Sequence, residues 1–318
     1  NTPRIDFSDS TNGALLLEGQ STNLITYSSD FSDAYWAKTD GLTVSYLGGG
    51  LSPDGVNNAD LITVNNGRLN KDLPVINGAT YTVSAYYKGA LGETLNLLNK
   101  AITLTGDWQR ESITFTATST FRGFPIIDNR ISGNASIVEV WGAQLEQGSY
   151  ATSYIPSLSG STTTRLADVC NNSGSAQDFN SEEGVLYAEI AALTENYTFR
   201  TICLSNGSTS DRINIWYWNN GTLKIELYSG NYSQFTYEVD VDTTLYNKIA
   251  VKYKLNDFSV FLNGVKVFTD LVGITPIGLN KINFSLGNEL YPFYGKVKDI
   301  QVFTEAKSDE FLEALTTI

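Results

Sequence analysis

Residues Arg212–Tyr228 read RINIWYWNNGTLKIELY. Two runs rich in β-branched and aromatic residues flank Asn219-Asn220-Gly221, and glycine in the third loop position suits a three-residue hairpin. That loop pairs Trp218 with Thr222, Trp216 with Lys224 and Asn214 with Glu226. It also pairs Tyr217 with Leu223, Ile215 with Ile225 and Ile213 with Leu227. Successive side chains of a strand point to opposite faces. The aliphatic residues therefore share one face, and Trp216, Trp218, Lys224, Glu226 and Tyr228 share the other. A loop of two or four residues would mix the faces, so the patterning selects the register.

The same alternation recurs in Thr80–Lys88, Glu111–Ala117, Ile137–Trp141, Lys248–Tyr253 and Phe258–Leu262. Short strands divided by Gly, Asn, Asp and Ser clusters predict an all-β chain of sandwich or jelly-roll domains. Asn263-Gly264 tolerates the positive φ angles of a tight hairpin. Phe258, Val260 and Leu262 form one side of their strand, Ser259 and Phe261 the other. One helix is predicted over Asp309–Leu315, with Ser308 as N-cap and two acids in its first turn. The Ser/Thr/Gly stretch Ser157–Thr164 reads as a linker. It divides the chain into domains 1–156 and 165–318, two different sandwiches in tandem, since no internal repeat relates them.

Composition narrows the function classes. The 318 residues carry 34 acids and 21 bases, a net charge of −13. Such a surface repels phosphate backbones, so no nucleic-acid partner is expected. Hydrophobic residues make up 42% and charged ones 17% of the chain, which argues against disorder. No run of about 18 apolar residues exists, so no membrane insertion is expected. The chain has no histidine, which removes Ser-His-Asp and Cys-His catalysis and histidine metal sites together. It also has no methionine and starts Asn1-Thr2-Pro3-Arg4, so a processed N-terminus or an excised piece of a longer polypeptide is expected. Cys170 and Cys203 form no CxxC pair, and read as inert buried thiols or as a single bridge.

Both halves contain strings that resemble known families. Thr2–Phe7, Leu15–Glu18, Thr22-Asn23-Leu24, Tyr27-Ser28, Tyr35-Trp36 and Ser52–Gly55 resemble modules of bacteriophage and prophage virion proteins, tail-fibre proteins among them. Gly142–Gly148 and Ala151–Pro156 continue the resemblance. These modules are similar to the galactose-binding-like jelly rolls of family 4 and family 9 carbohydrate-binding modules. The second half resembles laminin-G-like, concanavalin A-like domains through Tyr246–Tyr253, the Asn263-Gly264 turn, Phe293–Ile300 and the Ser308-Asp309-Glu310 helix start. The resemblance implies a virion location, with a secreted protein as the alternative.

Sugar recognition needs flat aromatic rings for pyranose faces and polar side chains for hydroxyls on one surface. The outer face of the Trp216/Trp218 hairpin, with Lys224, Glu226 and Tyr228, is one candidate. The alternative is that these rings pack under a neighbouring loop or against the other domain. In the first half, Tyr81, Val83 and Ala85 read as core, leaving Ser84, Tyr86 and Lys88 opposite. Similarity to family 4 modules places a sugar on the concave face at Tyr86, Arg110, Glu139 and Trp141, although Trp141 and Trp108 lie in strings that could be purely structural.

Glu238-Val239-Asp240-Val241-Asp242 sets three acids on one face of a strand, similar to the acid-x-acid-x-acid strand of concanavalin A-like glycosidases. Asp242 is shorter than the glutamate of that pattern, and an exposed acidic strand is the simpler reading. No cofactor is required. Carboxylates here and at Asp168 or Asp178 leave room for a structural calcium. The sequon Asn196-Tyr197-Thr198 would not normally be used in a phage product. The expected function is non-catalytic binding of a polysaccharide or cell-surface glycan, as in host recognition by a phage tail protein. The alternatives are a structural virion module that forms homo-oligomers and an accessory region of a secreted polysaccharide-degrading enzyme.

Overall fold

The computed structural model describes residues 3–130, 132–158, 160–194, 198–218 and 221–318. Asn196 and Tyr197 of the sequon, Asn219 and Asn220 of the hairpin loop, and Thr2 lie outside them. The described chain is all-β apart from one C-terminal helix, and it divides into two compact units.

Gln20–Leu166 forms one unit. Its five-stranded sheet runs in the order Gln109–Thr116, Thr80–Gly89, Ile137–Gln147, Asn57–Thr63, Thr43–Leu51. A three-stranded sheet of Phe121–Asp128, Arg68–Pro74 and Ala37–Thr39 contributes to the same core. That core holds Tyr81, Val83 and Ala85, inward as the alternation of Thr80–Lys88 requires, together with Val138, Val140, Leu69 and Phe124. Trp36 belongs to it as well and donates its indole N–H to the Tyr27 carbonyl at 2.9 Å.

Asn1–Gly19 and Ala167–Ile318 form the other unit. Its seven-stranded sheet has the order Arg4–Asp6, Ala14–Leu17, Gly295–Phe303, Glu183–Ala192, Asn247–Lys254, Phe258–Leu262, Val265–Asp270. The second sheet has five strands, Tyr232–Asp240, Thr222–Ser229, Arg212–Tyr217, Arg200–Ser205 and Lys281–Asn283. Ile213, Ile215, Tyr217, Leu223, Ile225 and Leu227 all enter the core, as the hairpin register requires. Phe258, Val260 and Leu262 join them. Phe261 points the other way, onto Leu312 of the helix Asp309–Thr316. Asn263 and Gly264 adopt φ of +49° and +85°, as the tight turn demands. Ser308 Oγ accepts from Phe311 N at 3.3 Å and caps the helix.

The domain boundaries differ from the sequence expectation of 1–156, 157–164 and 165–318. The first 19 residues belong with the C-terminal unit, because Ala14–Leu17 pairs with Gly295–Phe303 and Leu17 enters that core. Nor is Ser157–Thr164 a loose tether. Ser157 is buried and exchanges hydrogen bonds with Ser28, and Thr163–Arg165 pairs with Ser21–Asn23. Its small hydroxyl residues read as flexible by composition, but here their hydroxyls serve as hydrogen-bond partners. Cys170 and Cys203 are both free thiols, and burial pushes the Cys203 thiol up to about 12.

Two expectations follow. A fragment spanning 20–166 should fold alone by circular dichroism. A fragment spanning 167–318 should melt well below the same fragment covalently rejoined to residues 1–19; equal midpoints would show that the two N-terminal strands are dispensable. The second concerns the helix. Asp309 is held below the ordinary aspartate value of 3.8, first by the hydrogen bond from Lys266, with burial opposing and Lys252 adding. A folded value below the unfolded one means stability that is present above 3.8 and lost as pH falls through the lower folded value. The carboxylate is partly exposed, so Asp309→Asn should cost only a few tenths of a kcal/mol, up to about 1, at pH 7. The difference in melting midpoint should vanish in acid, and a difference that grows in acid would contradict the assignment.

Candidate functional site

In the C-terminal unit the hairpin register is as read from the sequence: Trp216 lies opposite Lys224, Asn214 opposite Glu226 and Tyr217 opposite Leu223. The outer-face residues are together, but they are not an open platform. Trp216 is only 5% exposed, and its Nε1 donates to Glu226 Oε2 at 2.9 Å. Tyr291 packs on it with ring centroids 5.6 Å apart, and Trp218 at 5.7 Å. Trp218 is covered in turn by Phe199 at 4.3 Å and by the Lys224 ammonium, 4.4 Å from its ring centroid. Lys224 bridges Glu226 at 3.0 Å and Glu238 at 3.3 Å. Burial works against its charge, but these two carboxylates outweigh it and hold the Lys224 pKa above the ordinary lysine value. Arg212 stacks 3.7 Å from the Tyr228 ring centroid.

The sequence expectation of free rings here is therefore corrected. The polar groups satisfy one another, and the ring faces are taken. Phe199 and Tyr291 were not legible as partners. Tyr291 arrives from a loop in the left-handed region, at φ +54°, with no periodic signal.

The acidic triplet does not survive as a unit either. The strand ends at Asp240, which accepts from Thr222 Oγ1 at 3.2 Å. Asp242 lies beyond it and caps Thr244, accepting from that residue's N–H at 2.9 Å. Asp168 binds Arg4 and accepts from Glu18 N, while Asp178 accepts from Ser175. Among the described residues no three His, Cys, Asp or Glu side chains gather as a metal site needs.

The Gln20–Leu166 unit presents a different picture. Tyr86 sits between Arg110 on one neighbouring strand and Trp141 on the other, and Lys88 pairs with Glu139 one row away. All five share the sheet face that points away from the core. Adjacent strands are about 4.8 Å apart, so the three strands carrying these residues span about 10 Å. Trp141 is 5% exposed and lies between Tyr86, at 5.2 Å, and Tyr154, at 4.4 Å. The Arg110 guanidinium lies 5.3 Å from the Tyr86 ring centroid and donates to Ser84 Oγ at 3.0 Å. Lys88 Nζ donates to Glu139 Oε1 at 3.1 Å.

The chemistry left over on this face is unusual. Arg110 Nε, Glu139 Oε2 and Trp141 Nε1 are buried, and none has a hydrogen-bond partner among the described residues. Each such atom costs about 1–3 kcal/mol, and a cluster of them calls for a partner that only a ligand or water can supply. Two donors and one acceptor are thus left beside the Tyr86 and Trp141 rings. Tyr154 was missed as a member, because nothing in its string marks it as facing the sheet. Burial pushes its hydroxyl up to about 12, against the hydrogen bond shared with Ser28 at 2.6 Å.

Comparison with known proteins adds the following. A laminin-G family model, described as Concanavalin A-like lectin/glucanases superfamily, matches residues 186–311, within the C-terminal unit and less than half of the chain. It bears out the laminin-G-like, concanavalin A-like reading of that half. No curated protein sequence matches the chain. Among solved structures, the chain is similar to the Ruminococcus gnavus IT-sialidase CBM40, with 21% identity over 46% of this chain and 94% of that one, at a TM-score of 0.39. It is also similar to the leech intramolecular trans-sialidase, with 21% identity over 48% of this chain and 27% of that one, at 0.39. A SAP-like pentraxin from Limulus polyphemus shares 13% identity over 46% of this chain and 74% of that one, at 0.37.

The packing of Trp216 generates a prediction. Trp216→Ala should destabilise the C-terminal unit by about 3–5 kcal/mol, as for other buried tryptophans. Urea denaturation measures it. A loss under about 1 kcal/mol would mean that the ring is not part of the packed structure.

Proposed function

We propose that the Gln20–Leu166 unit binds carbohydrate without chemistry, on the face of Tyr86, Arg110, Glu139 and Trp141. The observation that carries this reading is the set of three buried polar atoms without partners among the described residues, beside the Tyr86 and Trp141 rings. Sugars present what such a face lacks: hydroxyls that both donate and accept, on a ring whose C–H face packs against aromatics. The lectin-type family match in the other unit is consistent with a glycan-directed protein. A binding-only role rests on the chemistry available. The chain has no histidine, and Glu238, Asp240 and Asp242 are engaged by Lys224, Thr222 and Thr244. The resemblance of the Gln20–Leu166 strings to phage virion modules supports a host-surface polysaccharide as the ligand and a virion as the location.

The test is a glycan array followed by calorimetry on the strongest ligand. Tyr86→Ala should lose a stacking surface worth about 1–3 kcal/mol, by analogy with base stacking, which is a tenfold or greater fall in affinity. Arg110→Lys keeps the charge but removes Nε, and should weaken binding by about tenfold. Trp216→Phe and Trp218→Phe should leave affinity unchanged. Binding that is lost in the Trp218 variant but kept in Tyr86→Ala would move the site to the other unit. Release of reducing ends from the bound polysaccharide would overturn the binding-only reading.

A further inference from the structure

The charges on the Tyr86 face of Gln20–Leu166 do not balance. Lys88 and Glu139 form a pair at 3.1 Å. Glu111, next to Arg110 in sequence, belongs to Lys100 at 2.8 Å. Glu146 is buried and accepts from Ser21, Gln144 and Thr152. Arg110 is the cation left over, since it forms no ion pair among the described residues. Its guanidinium stacks 5.3 Å from the Tyr86 ring centroid and donates through Nη2 to the neutral Ser84 hydroxyl at 3.0 Å, while its buried Nε has no partner among the described residues. Arg110 and Tyr86 are both half-buried, so part of each side chain meets solvent.

A partly desolvated charge is costly unless an opposite charge and hydrogen bonds offset it. The hydroxyls of a neutral sugar supply hydrogen bonds alone. A guanidinium is a rigid planar fork of N–H groups that matches the oxygen pairs of an anionic group, and such charge-assisted bonds are about twice as strong as neutral ones. The remaining acceptor lies elsewhere on the face. Arg110 and Glu139 sit on the two strands that flank Thr80–Gly89, with Tyr86 between them. The face is therefore polar across its width, cationic at the Arg110 margin and neutral, with a free carboxylate oxygen, at the Lys88–Glu139 margin.

We infer that the ligand is an acidic glycan, one whose sugar carries a carboxylate or sulfate that pairs with Arg110. This inference rests on the carbohydrate reading of the same face. Tyr86 takes the ring of the sugar, and the Glu139 margin takes its hydroxyls, because a second anion there would meet the Glu139 carboxylate. The net charge of −13 does not oppose this pairing at close range. Repulsion from exposed acids is largely screened beyond a Debye length of about 8 Å at physiological salt, whereas a contact at hydrogen-bond distance is not.

The experiment uses the full chain and glycans in matched pairs: alginate and polygalacturonate, each beside its carboxyl-reduced form, and dextran sulfate beside dextran. Calorimetry should show the acidic member of a pair bound about tenfold or more tighter than the neutral one, the gain expected of a charge-assisted hydrogen bond. A preference within the first two pairs marks a carboxylate, and one within the third a sulfate. Arg110→Gln, which removes the charge, should bring the acidic-to-neutral affinity ratio to about one, while Arg110→Lys should keep it above one. A second readout needs no loss of charge. The Nε–H resonance that Arg110→Lys removes from the spectrum of the unsubstituted chain should shift on saturation with the acidic member, and an unmoved resonance overturns the inference. A preference that persists in Arg110→Gln overturns it too. Equal binding of acidic and neutral members, lost in Tyr86→Ala, overturns the acidic ligand and leaves the carbohydrate reading standing. If no member of any pair binds and the glycan array is empty, the carbohydrate reading fails and this inference fails with it.

Discussion

A single bulge at Gly142 sets what the Gln20–Leu166 unit can present. Against the strand Thr80–Gly89, Trp141 pairs with Tyr86, but the next pairing is Gln144 with Ser84. Three steps on one strand answer two on the other. Without the extra residue, Ala143 and Leu145 would turn outward, and both are fully buried in the core. The bulge keeps Glu139 and Trp141 outward on one side of it and Gln144 and Glu146 outward on the other. Gly142 makes this feasible because its φ of +64° is strained for any other residue, and a Cβ would sit 3.1 Å from the Tyr86 ring.

The two outward stretches then have opposite fates. Gln144 and Glu146 enter a closed network: Gln144 Nε2 donates to Glu146 at 2.7 Å, Thr152 N donates to Glu146 at 2.8 Å, and Ile155 N donates to Gln144 Oε1 at 2.7 Å. Asn23 joins by donating to the carbonyls of Ala143 and Ile155. The strings around Asn23, Gly142–Gly148 and Ala151–Pro156 therefore build scaffold. Glu139 and Trp141, on the other side of the bulge, carry polar atoms that are unpaired among the described residues.

Much of this was legible in the sequence, for a simple reason. Alternation with period two assigns faces directly, so the hairpin register, the inward residues of Thr80–Lys88 and the sides of Phe258–Leu262 all follow from patterning. What alternation cannot report is whether an outward face is covered. Trp216 and Trp141 both point outward and both are 5% exposed, because loops and side chains distant in sequence, Tyr291 and Tyr154, lie over them. Strand pairing between distant segments was equally silent. Nothing local marks Ala14–Leu17 as a partner of Gly295–Phe303, so the first 19 residues were assigned to the wrong unit. By composition the Ser/Thr-rich strap at Ser157–Thr164 looks like a tether, because composition does not show that its hydroxyls are hydrogen-bonded.

The two tryptophan faces make opposite claims about their indole N–H groups. Trp216 Nε1 is satisfied by Glu226, whereas Trp141 Nε1 has no partner among the described residues. Nitrogen-15 NMR of the five indoles during titration with the strongest glycan reads this difference directly. The account predicts that the Trp141 indole resonance shifts on saturation, as its orphaned donor acquires an acceptor, while the Trp216 resonance stays in place. A shift at Trp216 with Trp141 unmoved would contradict it.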